Sequence, residues 1–286
     1  MPAVIRRVVV VAIVGAIAGL VGCQLLQPVL APLPAAVDEG PFVWPVNVDP
    51  QPDGRVVVVV LTKTHGFRHD VIDVTADVVA AAARRTGLVP IVTADASVLD
   101  DRSLERVAVV VLAHANGSFA TDEQFAALVR FVEGGGGLLL LHGAVGDWQA
   151  ATPWLHDVTG ARFIGHSQLP GTETVDVVVR RTHPIARHLP ARFTIVDEIY
   201  AFNQAPRGAL VVASLAGGTH VGGALQLTMP GEHPVLWTRA VADGDVVIFT
   251  PGHTVSTWQA PWMVPLLNDT LVFLSRRSAR TSPRRR

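Results

Sequence analysis

The sequence predicts a doubly wound, mostly parallel α/β sheet continued by an antiparallel portion. Three features carry this. Residues 56–61 are an unbroken β-branched and leucine run, the pattern of a strand buried on both faces. Such runs alternate with helix-like stretches as far as His142, which is the spacing of βαβ units. Beyond Gly160 the rhythm changes to strand after strand with few helices between.

In chain order, strand 56–61 leads to a helix over 71–86, then strands at 88–93 and 107–112. A helix over 122–133 follows, with Thr121 placed to cap it and Gly134 to Gly137 as its exit. Residues 137–142 form the next strand, ending in a sharp turn that projects His142 beyond the sheet, where Gly143 permits close backbone approach. Strands at 174–180, 193–201, 210–215, 234–238 and 245–250 build the antiparallel part, and a helix over 261–274 closes the domain. No internal repeat is visible.

Composition sets the outer limits. A chain of 286 residues with 49% hydrophobic content can bury a full core. The formal charge is −1, but Arg6, Arg7 and the six arginines after position 275 are basic, leaving −9 over residues 24–275. That body repels nucleic acid. Lysine, tyrosine and cysteine occur once each, as Lys63, Tyr200 and Cys23, so no internal disulfide forms. Lys63 stands where arginine serves almost everywhere else.

Residues 1–23 read as an export signal: Arg6-Arg7, then an apolar stretch over 8–22, then Leu20-Val21-Gly22-Cys23. This end resembles the bacterial lipobox, which makes Cys23 the lipidated anchor. An uncleaved transmembrane anchor is the alternative, and either places the body outside the cytoplasm, on the outer face of the cytoplasmic membrane. Residues 24–54 form a tether, with seven prolines over 24–53, and residues 276–286 form a basic, disordered tail.

Ligands of open α/β sheets bind beyond the carboxyl ends of the strands, and histidine recurs there. The first strand is followed by Lys63, Arg68 and His69, the third by His114 and Asn116, the fourth by His142, and the late strand at 245–250 by His253. Adjacent Asp197 and Glu198 in one strand point to opposite faces, so one carboxylate enters a cleft and the other is solvated.

Five segments in this order resemble the trehalose-utilisation (ThuA-like) family: Lys63 to His69, Gly135 to Ala144, Asp197 to Tyr200, His233 to Trp237, and Gly252-His253. His65, ahead of Gly66-Phe67, departs from the pattern. The resemblance covers about residues 55–275 and implies a flavodoxin-like or class I glutamine amidotransferase-like fold. Class I glutamine amidotransferases carry a catalytic cysteine at the turn occupied here by His142. With no cysteine in the body, glutaminase chemistry is excluded. The resemblance implies a small carbohydrate as ligand, with a 3-keto-disaccharide the most concrete form, and a sugar dehydrogenase as pathway partner.

His142, His69, His253 and Glu198 are the candidate catalytic groups, since imidazole titrates near neutrality and keto-sugar chemistry needs proton transfer beside a carbonyl. Lys63, Arg68, His114, Asn116, Trp148 and Tyr200 are candidates for holding the ligand, Trp148 by stacking, as Trp154 and Trp258 also offer. His69, His142, His166, Glu198 and His253 also suffice chemically for a divalent metal site. Acid–base groups, metal ligands and satisfied structural histidines all stay open, as does a noncatalytic sugar-binding lipoprotein. His183-Pro184 and His233-Pro234 read as loop closures.

Overall fold

The computed structural model describes residues 40–45, 57–146, 153–167, 171–217, 229 and 232–281. Five strands form the parallel half of a nine-stranded sheet: β1 (Val57–Leu61), β2 (Val89–Thr93), β3 (Val107–Ala113), β4 (Gly137–Leu141) and β11 (Gly244–Phe249), in the order β2-β1-β3-β4-β11, with β2 at the edge. Every residue of β1, β3 and β4 is buried, which is why these segments read as apolar runs without alternation.

The antiparallel half continues the same sheet through β10 (Pro234–Val241), β9 (Leu210–Leu215), β6 (Glu173–Val179) and β7 (Arg192–Asp197). β6 and β7 alternate buried and open positions, as expected of strands covered on one face.

Helix α1 (Ile72–Arg85) joins β1 to β2, α2 (Asp101–Leu104) lies between β2 and β3, and α3 (Asp122–Glu133) joins β3 to β4. Because the step from β1 to β2 runs one way along the sheet and that from β3 to β4 the other, right-handed crossovers place α1 and α3 on opposite faces. Thr121 and Gln124 form a full capping box at the start of α3. Further on lie α4 (Pro153–Thr159), α5 (Val255–Trp258) and α6 (Met263–Thr281), and α6 packs on α1.

Four sequence expectations are corrected. The strand expected over 193–201 is two elements: β7 stops at Asp197, and β8 (Tyr200–Phe202) leaves the main sheet to pair antiparallel with β5 (Phe163–His166). Alternation across the whole stretch therefore fails at Glu198, which lies in neither strand. The basic tail is helical as far as Thr281, because arginine, alanine and serine prolong a helix already started by apolar packing. The extended tether does not hold over residues 40–45. Phe42 and Trp44 pack partly buried against the core, edge to face at 5.3 Å, with the Arg106 guanidinium 5.7 Å above the Trp44 ring. The elements α2, α4, α5 and β5 were not expected; each is seven residues or shorter, too short for a periodic signal.

Cys23, Trp148 and residues 282–286 lie outside the described residues. Among the described residues no helix is long and apolar enough to cross a membrane.

Candidate functional site

Six strand termini bring polar side chains to one place. β1 leads into the loop bearing His69, β3 ends before His114, β4 before His142, β11 before the loop bearing His253, β7 before Glu198, and β5 ends with His166. His114 and His142 both have left-handed backbone, with φ 59° and 43°. A non-glycine residue held there costs on the order of 1–3 kcal/mol, which the surrounding packing must outweigh.

The turn after β4 is built for close approach. A Cβ on Gly143 would stand 2.9 Å from His69 Cε1 and 3.3 Å from His114 Cα, so only glycine lets these rings close over the turn. His142 Nδ1 lies 2.7 Å from the Thr250 carbonyl oxygen, and Tyr200 Oη lies 3.2 Å from His142 Nε2. His233 Nε2 donates to the Tyr200 carbonyl at 2.8 Å and so fixes β8 against β10. Behind them His114 Nε2 meets Thr75 Oγ1 at 2.9 Å, while that hydroxyl donates to Val71 O.

Asp197 and Glu198 divide two tasks. The Asp197 carboxylate is fully buried and accepts the backbone N–H groups of Glu198, Gly252 and His253 at 2.8, 3.0 and 2.8 Å. It also accepts a short hydrogen bond from Thr257. The expected solvation of one of the two carboxylates is therefore wrong: burial of Asp197 is made tolerable by four donors, and the residue ties the β7 end to the β11 loop.

Glu198 faces the imidazoles. Its Oε1 is 2.8 Å from His166 Nδ1, and its Oε2 is 3.4 Å from His142 Nε2 and 3.5 Å from His253 Nδ1. One ligand atom from each of His69, His142, His253 and Glu198 lies within 4.8 Å of the others. Burial, then neighbouring His142 and His253, lowers the His69 pKa to about 3, so that ring is neutral. Burial pushes the Glu198 carboxyl up, but the three imidazoles around it prevail and hold it below the usual carboxylate range. Glu198 raises the His253 pKa; at His166 burial opposes the same effect and is outweighed. The Tyr200 phenol is pushed well up by burial and by the two carboxylates, and stays protonated.

Comparison with known proteins decides the family: the trehalose-utilisation (ThuA) model matches residues 57–274. The chain belongs to the ThuA family. Among solved structures it is similar to a ThuA-like protein of Bacteroides uniformis, with a TM-score of 0.62 and 19% identity, covering 84% of this chain and 94% of that one. A ThuA-like protein of Parabacteroides merdae also has a TM-score of 0.62, with 14% identity over 78% of this chain and 90% of that one. The cytoplasmic protein STM3548 of Salmonella typhimurium gives 0.56 and 14% identity over 76% and 98%. At such identities these likenesses speak for the fold alone. No curated protein matches the sequence.

Within this ThuA-family fold, His69, His142, His253 and Glu198 converge. Tyr200 joins them as the neighbour of His142, its ring 4.6 Å away. His114 was expected at the ligand but is fully enclosed, one layer behind His69 and His142, at 4.9 and 5.4 Å between ring centroids. Arg68 is turned to Asp73 at 3.4 Å on the surface. Asn116 braces the loop after β1, its Nδ2 donating to Phe67 O at 2.8 Å, and Lys63 is half-buried on that loop. Trp258 is buried and donates to Gly252 O, and Trp154 packs edge-on to Phe125, so both serve the fold.

Sequence reasoning did not assign an acid–base role to His166, and it missed Thr250, Thr75 and the anchoring role of Asp197. A histidine closing a short apolar segment, Phe163-Ile164-Gly165-His166, was the available signal for the first. Nothing in the sequence marks a backbone carbonyl such as that of Thr250.

Proposed function

We propose that this ThuA-family chain acts on a small carbohydrate, of the disaccharide or 3-keto-disaccharide class, by histidine-assisted proton transfer at the Glu198 cluster. The observation that carries this reading is the division of the imidazoles around one carboxylate. His69, His114 and His142 are enclosed, whereas His166 and His253 keep side-chain exposures of 37% and 35% beside Glu198. A ligand hydroxyl thus has two imidazoles within reach.

His166 has the better geometry for moving a proton. Its Nδ1 faces two acceptors, Glu198 Oε1 and Ser167 O, each at 2.8 Å, so Nδ1 carries the hydrogen and Nε2 is left for the ligand. A positioned group of this kind contributes typically about 10²–10⁴-fold in rate. Phe67, 67% exposed with its ring 4.8 Å from that of His69, offers an apolar face to the C–H side of a sugar ring. A keto-sugar is the product of a sugar dehydrogenase, which is the reaction class that would supply it.

The full chain, purified in detergent, should show a raised Tm with trehalose or its 3-keto derivative and no shift with amino acids or nucleotides. Binding accompanied by turnover supports the enzyme, binding without turnover supports a sugar-binding lipoprotein, and no binding overturns the carbohydrate reading.

A further inference from the structure

We infer that His69, His142, His253 and the Oε2 atom of Glu198 are the binding site for one divalent transition-metal ion of the zinc type. The inference concerns the same cluster as the proposed function and holds whatever the ligand is.

The spacing is the first argument. Glu198 Oε2 stands 3.4 Å from His142 Nε2 and 3.5 Å from His253 Nδ1. Charge-assisted hydrogen bonds close to roughly 2.7–2.9 Å. Two ligands each about 2.1 Å from one tetrahedral ion stand roughly 3.4 Å apart. The four donor atoms lie within 4.8 Å of one another, a spread that an ion narrows by drawing the imidazoles inward.

The tautomer of His142 is the second. A carbonyl oxygen only accepts, so the 2.7 Å contact to Thr250 O places the hydrogen on His142 Nδ1. Nε2 then carries the lone pair, with the Tyr200 hydroxyl at 3.2 Å and Glu198 Oε2 at 3.4 Å around it, so it is turned inward as a metal ligand must be. A ring nitrogen donating to a backbone carbonyl while the other faces inward is the arrangement of metal-bound histidine.

The remaining donors agree. The Nδ1 atom of His69 is buried without a hydrogen-bond partner, and that of His253 has Glu198 Oε2 only at 3.5 Å, although the His253 backbone is held firmly by Asp197. Glu198 divides its oxygens, Oε1 to His166 and Oε2 to the cluster, so His166 is left outside the ligand set and keeps its proton-moving position. Three imidazoles and one carboxylate suit zinc, iron or nickel better than magnesium or calcium, which prefer oxygen ligands throughout. A carbonyl or hydroxyl of the ligand would reach such an ion as a fifth donor, and the ion would polarise it there.

The test uses Zn²⁺ on the full chain in detergent, after chelator treatment and dialysis, with elemental analysis of the desalted protein and calorimetric titration. One Zn²⁺ per chain and a raised Tm are expected, and Co²⁺ should give visible absorption of a four-coordinate site. Glu198→Gln and His253→Ala should each weaken Zn²⁺ binding by at least about 100-fold, since outer-shell changes alone cost 10–100-fold. His188→Ala, whose ring pairs with Asp269 at 2.8 Å, should bind as the parent does. His253 is partly open, so its variant decides the matter if Glu198→Gln fails to melt cooperatively. Absence of Zn²⁺ from the folded parent, or binding retained in His253→Ala, would overturn the inference. Carbohydrate plays no part in these measurements, so the metal site and the carbohydrate reading fail separately.

Discussion

The Asp197 carboxylate accepts the backbone N–H of His253 at 2.8 Å, joining the end of β7 to the loop after β11. Its other oxygen takes Gly252 N–H at 3.0 Å and the Thr257 hydroxyl. Replacing Asp197 with alanine strands these donors in a buried place. Unfolding free energy should fall by about 3 kcal/mol in a urea titration, because each unsatisfied buried donor costs about 1–3 kcal/mol. Asp197→Asn should also destabilise, since its amide nitrogen turns a donor towards donors. A stability within 0.5 kcal/mol of the parent, a margin typical of surface changes, would contradict this anchoring role.

Much of this was legible beforehand. The parallel strands announced themselves because residues buried on both faces must be apolar at every position, as in β1 and β4. Histidines at strand ends then marked the site, and His69, His142 and His253 do meet. Other features were hidden for physical reasons. One of Asp197 and Glu198 was expected to be solvated because strand alternation was carried one residue too far, into Glu198. His114 looked like a ligand contact because a strand end gives position and not depth; only the packing of His69 and His142 over it shows its enclosure. The β5 and β8 pair, which delivers His166 and Tyr200, is joined across a long stretch of chain with no sequence signature of register.

Gly143→Ala should damage the site out of proportion to its size. The added methyl would meet His69 Cε1 at 2.9 Å and Nδ1 at 3.1 Å, forcing the ring out of its place in the cluster. Overpacking of this kind costs about 1–3 kcal/mol. Zn²⁺ affinity should drop with it, measured by calorimetry beside a urea titration. Unchanged affinity and stability would show that the His69 ring is free to move.

Trp44→Ala should destabilise the body by about 1–2 kcal/mol, through loss of ring burial and of the Arg106 contact. A chain beginning at residue 40 should accordingly melt higher than one beginning at residue 55. Equal melting temperatures would mean that Phe42 and Trp44 add nothing to the fold.

We propose that the chain is exported and held at the membrane through Cys23, as the Leu-Val-Gly-Cys sequence suggests. Mature protein should begin at an acylated Cys23 by intact mass, and Cys23→Ser should abolish lipid labelling. A Met1 terminus in the membrane fraction would favour the uncleaved anchor.

Chemistry on a sugar at the Glu198 cluster is the property on which the rest depends. The most direct measurement is to incubate the Zn²⁺-supplied full chain with 3-keto-trehalose and follow product formation by NMR, comparing the parent with His166→Ala. His166 is part-exposed, so its loss should leave Tm nearly unchanged while turnover falls by about 10²–10⁴-fold. No conversion by the parent, or a His166→Ala variant as active as the parent, would contradict it.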